Sequence, residues 1–479
     1  MIKKILVIVF TISVAISSAQ NEIDALRYSM QNLNGTAKFA AMGGAYGSLG
    51  GDFSTLSSNP AGIGMYQFSE FTFTPSLSLN TTKSYYGNMS SPSYKSAFGV
   101  SNLGIVFSIP KNNNDWKRIN IGIGWNQLAD YNRNINIDGM NNTSSIVDQI
   151  IDLTNGTFTG ELINGNGDSF SQMAWNTYLI DPLFNNNNLV EGEYTSNFSS
   201  EKKYQNKEIR SVGSLDEFVL SFGGSYKEKL YVGATIGVPT IDYYEYSEYS
   251  EAESTDTANN LRQMTLTEEI STYGTGYNLK IGAIYRLSEK IKVGGSIHTP
   301  TYFNIEEDYN TSLTTFFKDS TLSYSMGYLN LFNYNLITPL KASISASTIF
   351  NNIILSGEYE VIDYSTNEFF TEGFEQENSK IKSIYQNTEN IKLGVEMIFK
   401  PFVFRAGYAK YGSAFKLQDF ARENFSYGLG LNLGGYFFDI AYVLSQATNE
   451  HRLYSDDFIQ PIEINNTNHN VLFTLGFRY

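Results

Sequence analysis

The 479-residue chain has no cysteine, only ten prolines, three tryptophans and three histidines. Without cysteine it has neither disulfides nor the acylated N-terminal cysteine of a bacterial lipoprotein, so its stability must come from the fold. His298, His451 and His469 stand far apart without ligand-like spacing, and no nucleophile and base form a legible constellation. No catalytic residue, metal site or cofactor is therefore expected. Long apolar runs are also missing: nothing after the first residues offers the roughly 18 uninterrupted apolar positions of a membrane-spanning helix. Positive charge is scarce, with 33 Lys and Arg against 48 Asp and Glu and a net charge of −15, which argues against a nucleic-acid partner.

The one compact apolar run, Ile5 to Ile16, follows Lys3 and Lys4 and precedes Ser17-Ser18-Ala19. That pattern reads as a secretory signal peptide over residues 1–19, to be left out of the fold. Aromatics are plentiful, with 34 Tyr and 33 Phe, and 40 Gly with abundant Asn and Ser supply turns. No Pro-rich or Gly/Ser linker interrupts the remainder, so one large β unit is the simplest reading.

Period-two alternation carries that reading. Around a turn at Ser288-Glu289-Lys290, Leu279, Ile281, Ala283, Tyr285, Ile291, Val293 and Ile297 share one face, and Lys280, Gly282, Arg286, Lys292 and Gly294 the other. Ile391, Leu393, Val395, Met397 and Phe399 repeat the pattern against Lys392, Gly394 and Glu396. Fourteen such segments run from about residue 68 to 479, joined alternately by short turns and by long polar loops at 82–96, 132–214, 248–266, 307–334, 365–387, 412–423 and 448–467.

By parity the non-apolar face carries Lys280, Arg286, Lys341, Glu358, Glu360, Lys392, Glu396, Arg405, Asp439 and Arg478, together with many glycines. So many charges on one inner face would be costly in the dry core of a sandwich. In a barrel they face a lumen while the apolar face meets lipid. The expected fold is all-β, a 14-stranded antiparallel transmembrane β-barrel in a bacterial outer membrane, ending on the aromatic-rich strand "NVLFTLGFRY".

Four stretches resemble a known family, the FadL/TodX-type outer-membrane transporters of long-chain fatty acids and other hydrophobic compounds, in the form common in the Bacteroidota. They are "ALRYSMQNLNGTAKFAAMGGAYGSLGGDFSTLSSNPAGIGMYQFSEFTFTPSL", "GEYEVIDYS", "FRAGYAKYGSAF" and "FSYGLGLNLGGYFFDIAYV". The resemblance implies an N-terminal hatch over residues 20–66 inside the lumen, with residues 67–479 forming the barrel. It implies a hydrophobic small-molecule ligand, passive transport and contact with outer-membrane lipids. Asn59, Pro60 and Ala61 match the family's NPA motif. Pro60 restricts both its own φ and the conformation of Asn59, so the motif is either a hatch hinge or a tight turn alone. Phe39, Met42, Tyr46, Leu49, Phe53, Leu56 and Ile63 are the expected ligand-lining residues of the hatch, or else its own small core.

In the long loop, "SSIVDQIIDL" and "SQMAWNTYLIDPLF" hint at amphipathic helices. Ile150, Ile151, Met173, Trp175, Leu179 and Ile180 would form an external apolar groove, dock on the barrel rim or meet a partner protein. Two functions stay open: a passive transporter, or a non-transporting barrel that serves as partner subunit in a larger outer-membrane complex for protein secretion or barrel biogenesis.

Overall fold

A computed structural model describes residues 22–111, 115–196, 198, 202–253, 260–454 and 458–479. The expected signal peptide lies outside them. Fourteen strands form the wall: β1 (Glu70–Tyr86), β2 (Met89–Pro110), β3 (Trp116–Asp130, resuming at Arg133–Asn141), β4 (Lys203–Tyr226), β5 (Leu230–Glu253), β6 (Leu261–Arg286) and β7 (Ile291–His298, resuming at Tyr302–Phe317). They continue with β8 (Thr321–Ile337, resuming at Lys341–Phe350), β9 (Ile353–Asp363, resuming at Glu368–Phe369), β10 (Asn387–Phe399), β11 (Phe402–Tyr411), β12 (Arg422–Asn432), β13 (Tyr436–His451) and β14 (Ile462–Arg478). Each pairs antiparallel with the next, and β14 pairs back onto β1 from Glu70↔Arg478 to Tyr85↔Glu463. The sheet is a closed ring without a free edge, so the backbone groups along the wall find partners within it.

Number, order and facing of the strands follow the alternation in the sequence. The outward positions form an exposed apolar belt that includes Leu393, Ile440 and Leu475, each 40% exposed or more. Phe399, Phe402, Tyr436 and Tyr479 sit at its turn end. Among the described residues no helix is long and apolar enough to cross a membrane.

Most of the expected long loops are shorter than their sequence suggests. Residues 82–96 are not a loop: β1 and β2 continue to a two-residue turn in which Gly87 takes φ +57°. The expected loop 132–214 shrinks to residues 142–202, because Arg133–Asn141 and Lys203 onward pair with each other as strand. The acidic stretch from Glu245 is strand as far as Glu253. The physical reason is common to all three. Beyond the apolar belt both faces of a strand are polar, so alternation fades while Tyr, Thr and Ile keep the β preference.

Two short helices, α1 (Glu22–Ser29) and α2 (Ala37–Ala41), precede the wall, and three more, α3 (Ile146–Thr154), α4 (Thr159–Ile163) and α5 (Ser169–Asn176), build the cap in 142–202. A capping box starts α3: Val147 N–H donates to Ser145 Oγ at 3.1 Å and Ser145 N–H to Asp148 Oδ2 at 2.8 Å. A further helix, α6 (Glu375–Ile384), follows β9 and was not legible, since only Ile381 of its residues is buried.

One part of the wall is weakly laddered. Strands β7 and β8 both break between the pairs His298↔Lys341 and Tyr302↔Ile337, and each break holds a proline, Pro300 and Pro339. A proline has no N–H to give the ladder. Thr338 N–H to Thr301 O and Thr301 N–H to Thr338 Oγ1, both 3.0 Å, bridge the gap.

Candidate functional site

Residues 22–66 lie within the ring. Residues 37–41 pack on β11 to β14, residues 53–57 on β2 to β5, residues 60–65 on β3 to β6, and Gly47 reaches Ser345 of β8 and Glu358 of β9. A segment that touches strands all round a closed barrel can only occupy its lumen. Inner-face glycines make the room: a β-carbon at Gly282 would overlap Asn59, and one at Gly233 would overlap the carbonyl of Pro60.

The segment is short on helix and rich in glycine, so polar bonds shape it. Asp52 organises one knot: it accepts from Ser54 N–H at 2.9 Å and from the Thr36 hydroxyl at 2.7 Å. Asn59 organises the other. Its side-chain oxygen accepts from Ala61 N–H at 3.1 Å, starting the turn of 3₁₀ helix Pro60–Met65, and its Nδ2 donates to Gly47 O at 2.5 Å. Asn59 is thus fully buried, and ties two separate loops of the segment together.

Wall side chains hold this plug by its backbone. Ala37 N–H donates to Thr474 Oγ1 at 2.7 Å and Gly47 N–H to Glu358 Oε2 at 2.9 Å. Lys292 Nζ donates to Leu49 O at 3.1 Å, Ser426 Oγ to Ala41 O at 3.1 Å, and Asn120 Nδ2 to Ile63 O at 2.6 Å. Ser58 O accepts from Ser296 Oγ at 2.9 Å and lies 2.6 Å from His298 Nε2, on the strand that leads into the proline break.

Of the ten inner-face charges expected from parity, seven are buried and Arg286, Glu360 and Arg478 are half-buried, and most are paired. Lys280 pairs with Glu217, Lys392 with Glu358 at 2.9 Å and Glu360 at 3.6 Å, Arg405 with Glu396 at 2.6 Å and Asp439 at 2.5 Å, and Arg478 with Glu70 at 2.8 Å. Removing one partner of such a pair strands a buried charge, a loss of about 3–5 kcal/mol.

The seven apolar plug residues divide into two packed groups. Phe39, Met42, Tyr46 and Leu49 form one with Ala441, Val443 and Leu472 of the wall. Phe53, Leu56 and Ile63 form the other with Val106 and Val219. All are at least nine-tenths buried, and of the seven only Phe39 borders a lumen cavity. The cavities that remain have linings of mixed character, polar side chains beside apolar ones such as Leu33, Phe420 and Val443. One of about 80 Å³ runs between the plug and His298, Lys341, Glu360 and Lys392. A larger one, of about 280 Å³, lies on the other side of Asn32, Leu33 and Asn34, against β1, β3 and β12 to β14.

Outside, Ile150, Met173, Leu179 and Ile180 are buried on the inner ends of the extended strands, against Ile137, Tyr249, Leu266 and Leu313, with Ile151 and Trp175 at the margin. They close the mouth of the barrel. A cavity of about 150 Å³ remains there, lined by Ile146, Ile150, Leu153, Phe170, Leu266 and Leu453 together with Gln149, Lys207 and Glu268. Glu251 is buried beneath this cap, accepting from Ile146 N–H at 2.8 Å, Gln205 Nε2 at 2.9 Å and the Tyr249 hydroxyl at 2.5 Å. Burial pushes its carboxyl above the ordinary range, and these hydrogen bonds oppose the rise only in part.

The sequence reading missed the polar side of the lumen. Asn466, Asn468 and Asn470 alternate along β14, and Asn80 and Asn424 stand near them. The spacing in "NNTNHN" was the available signal.

The chain shares its barrel fold with solved structures of outer-membrane transport proteins. The toluene transporter TodX of Pseudomonas putida superposes with a TM-score of 0.55 at 10% identity, over 94% of this chain and 99% of that one. A FadL homologue of Pseudomonas aeruginosa gives 0.51 at 11% identity, and the CymD monoaromatic hydrocarbon channel 0.50 at 13%, each over 94% of this chain and 99% of the other. Compared by sequence, the chain matches no family model and no curated protein.

Proposed function

We propose that the chain is a passive channel of a bacterial outer membrane for hydrophobic compounds, with residues 1–19 as secretory signal, 20–66 as hatch and 67–479 as wall. The observation that carries this reading is a closed barrel with an apolar outer belt whose lumen is stopped by a segment held through side-chain hydrogen bonds as well as two apolar contacts. Such bonds exchange readily with water or ligand, so the stopper can shift without unfolding the wall. The cavity under the cap, with Ile146, Ile150, Leu153 and Phe170 on its apolar side, receives the compound from outside. The hatch then yields at Asn59-Pro60-Ala61, and the compound leaves sideways where Pro300 and Pro339 leave the wall thinly laddered beside Ser58. No catalytic group is needed.

Reconstitution into liposomes tests the channel: toluene or a medium-chain fatty acid enters faster with the protein than with a barrel of similar size lacking a plug, and an Asn59 variant changes that rate. Equal rates would refute it. A second reading, a partner subunit of a larger outer-membrane complex, draws on the cap's exposed Phe158, Ile163, Tyr178 and Phe184, each about 60% exposed or more. Native purification in mild detergent separates the two: bound hydrocarbon without stoichiometric protein favours the channel, and a stoichiometric partner with an empty lumen favours the subunit.

A further inference from the structure

The register of the wall places a lattice of amides on one side of the lumen. Asn80 of β1 pairs with Asn468 of β14, Asn468 with Ser445 of β13, and Ser445 with Asn424 of β12, giving one cross-strand row. Asn466 and Asn470 stand two residues to either side on β14, on the same face. These side chains line the 280 Å³ cavity. Among the described residues the side-chain oxygens of Asn80, Asn424, Asn466, Asn468 and Asn470 have no hydrogen-bond partner, and Asn424 is 2% exposed. Across the cavity are Arg133, which makes no ion pair among the described residues, and Tyr131 and Tyr243, with ring centres 5.5 Å apart.

We infer that this cavity is a binding site for a hydroxyl-rich ring, a saccharide, presented either free or as the head group of an amphiphile. The argument is one of matching hydrogen-bond capacity. Each amide offers an acceptor, and all but Asn470, whose Nδ2 donates to Asn34 Oδ1 at 3.3 Å, offer a donor as well, and a sugar hydroxyl answers both. A hydrocarbon answers neither, and a bare carboxylate can meet Arg133 but has no hydrogen to give five amide oxygens. Of the two rings opposite, Tyr243 is buried with Arg27 over its face, and the half-buried Tyr131 is the one that suits the apolar face of a sugar ring. The volume falls at the small end of ligand pockets, room for one ring. The site stands on its own geometry; only the ligand's route through the wall rests on the channel reading. Deepened in this way, that reading takes amphiphiles as substrates: an apolar chain for the cap cavity and a hydroxylated head for the lumen.

The test is calorimetric titration of the full mature protein in phosphatidylcholine nanodiscs with three probes: methyl glucoside, octyl glucoside below its micelle concentration, and octanoate. Binding of a glucoside is expected, and Asn424→Leu/Asn468→Leu should weaken it about tenfold or more. Asn424→Ser/Asn468→Ser keeps polar groups in the cavity and should retain binding within about threefold, which separates loss of the site from loss of the fold. Comparable binding of both glucosides identifies a free sugar, and octyl glucoside alone identifies a head group. No glucoside binding, or binding that the leucine pair leaves intact, overturns the site. Octanoate flux into liposomes reports on the channel separately: flux without glucoside binding keeps the channel and removes the site, and glucoside binding without flux does the reverse.

Discussion

Replacing Asn59 by alanine should loosen the plug while leaving the wall folded. The substitution removes the side-chain acceptor that starts the 3₁₀ turn Pro60–Met65, a loss of about 0.5–2 kcal/mol for a helix cap. It also deprives the buried Gly47 carbonyl of its donor, about 1–3 kcal/mol. The two overlap, so about 2–4 kcal/mol is the expected total, which raises the population of the opened plug about 30- to 700-fold. The absence of cysteine makes this measurable without background. Ser48 is wholly buried and its hydroxyl has no partner, so Ser48→Cys introduces a single thiol at little cost. The rate of maleimide labelling of that thiol follows the opened fraction when opening is fast relative to reaction. Ser48→Cys/Asn59→Ala should label faster by the factor above, and Asn59→Asp, which keeps the acceptor and loses the donor, should fall between. A rate within about threefold of the Asn59 parent, with heat-modifiable mobility intact, would refute the claim that Asn59 holds the plug.

Gly282→Leu forces a side chain into the space of Asn59 and should speed the same labelling, whereas Gly295→Ala, whose new carbon meets nothing nearer than Ser343 O at 3.4 Å, should not. Lys280→Met strands buried Glu217 and should cost about 3–5 kcal/mol in urea unfolding from detergent or lipid, with Lys280→Met/Glu217→Gln recovering most of it. Leu393→Arg, on the outer belt, should cost about 2–4 kcal/mol in the same assay if the belt faces lipid. The cap should resist protease better in acid: the Glu251 carboxyl is raised in the fold, so its contribution is full below the unfolded carboxylate value and is lost as pH rises through the folded one. Glu251→Gln should flatten that dependence.

Where burial imposed a rule, the sequence was readable. A wall with lipid-type packing outside and a filled lumen inside must alternate strictly, so the strands near Leu393 and Ile440 and the inner charges at Lys280, Lys392 and Arg405 all fell to parity. Past the belt that rule lapses, and residues 82–96 looked like loop although they are strand. The plug's apolar residues were recognisable as buried, but nothing in their spacing separates a ligand lining from two groups packed on different walls. The amide lattice needed the register of four strands, two of them from opposite ends of the chain, before Asn80, Asn468, Ser445 and Asn424 became neighbours.

The bond from Ala37 to Thr474 spans nearly the whole chain, and it sets an order of events. The plug is synthesised first, yet its anchors on β12 to β14 emerge last, as does the strand that must pair with β1. Until the ring closes, residues 22–66 have no surface to fold against, and their many glycines disfavour a stable structure of their own. Docking of the plug is therefore the last step of assembly, and a thiol at Ser48 that turns from reactive to protected would time the closing of the barrel itself.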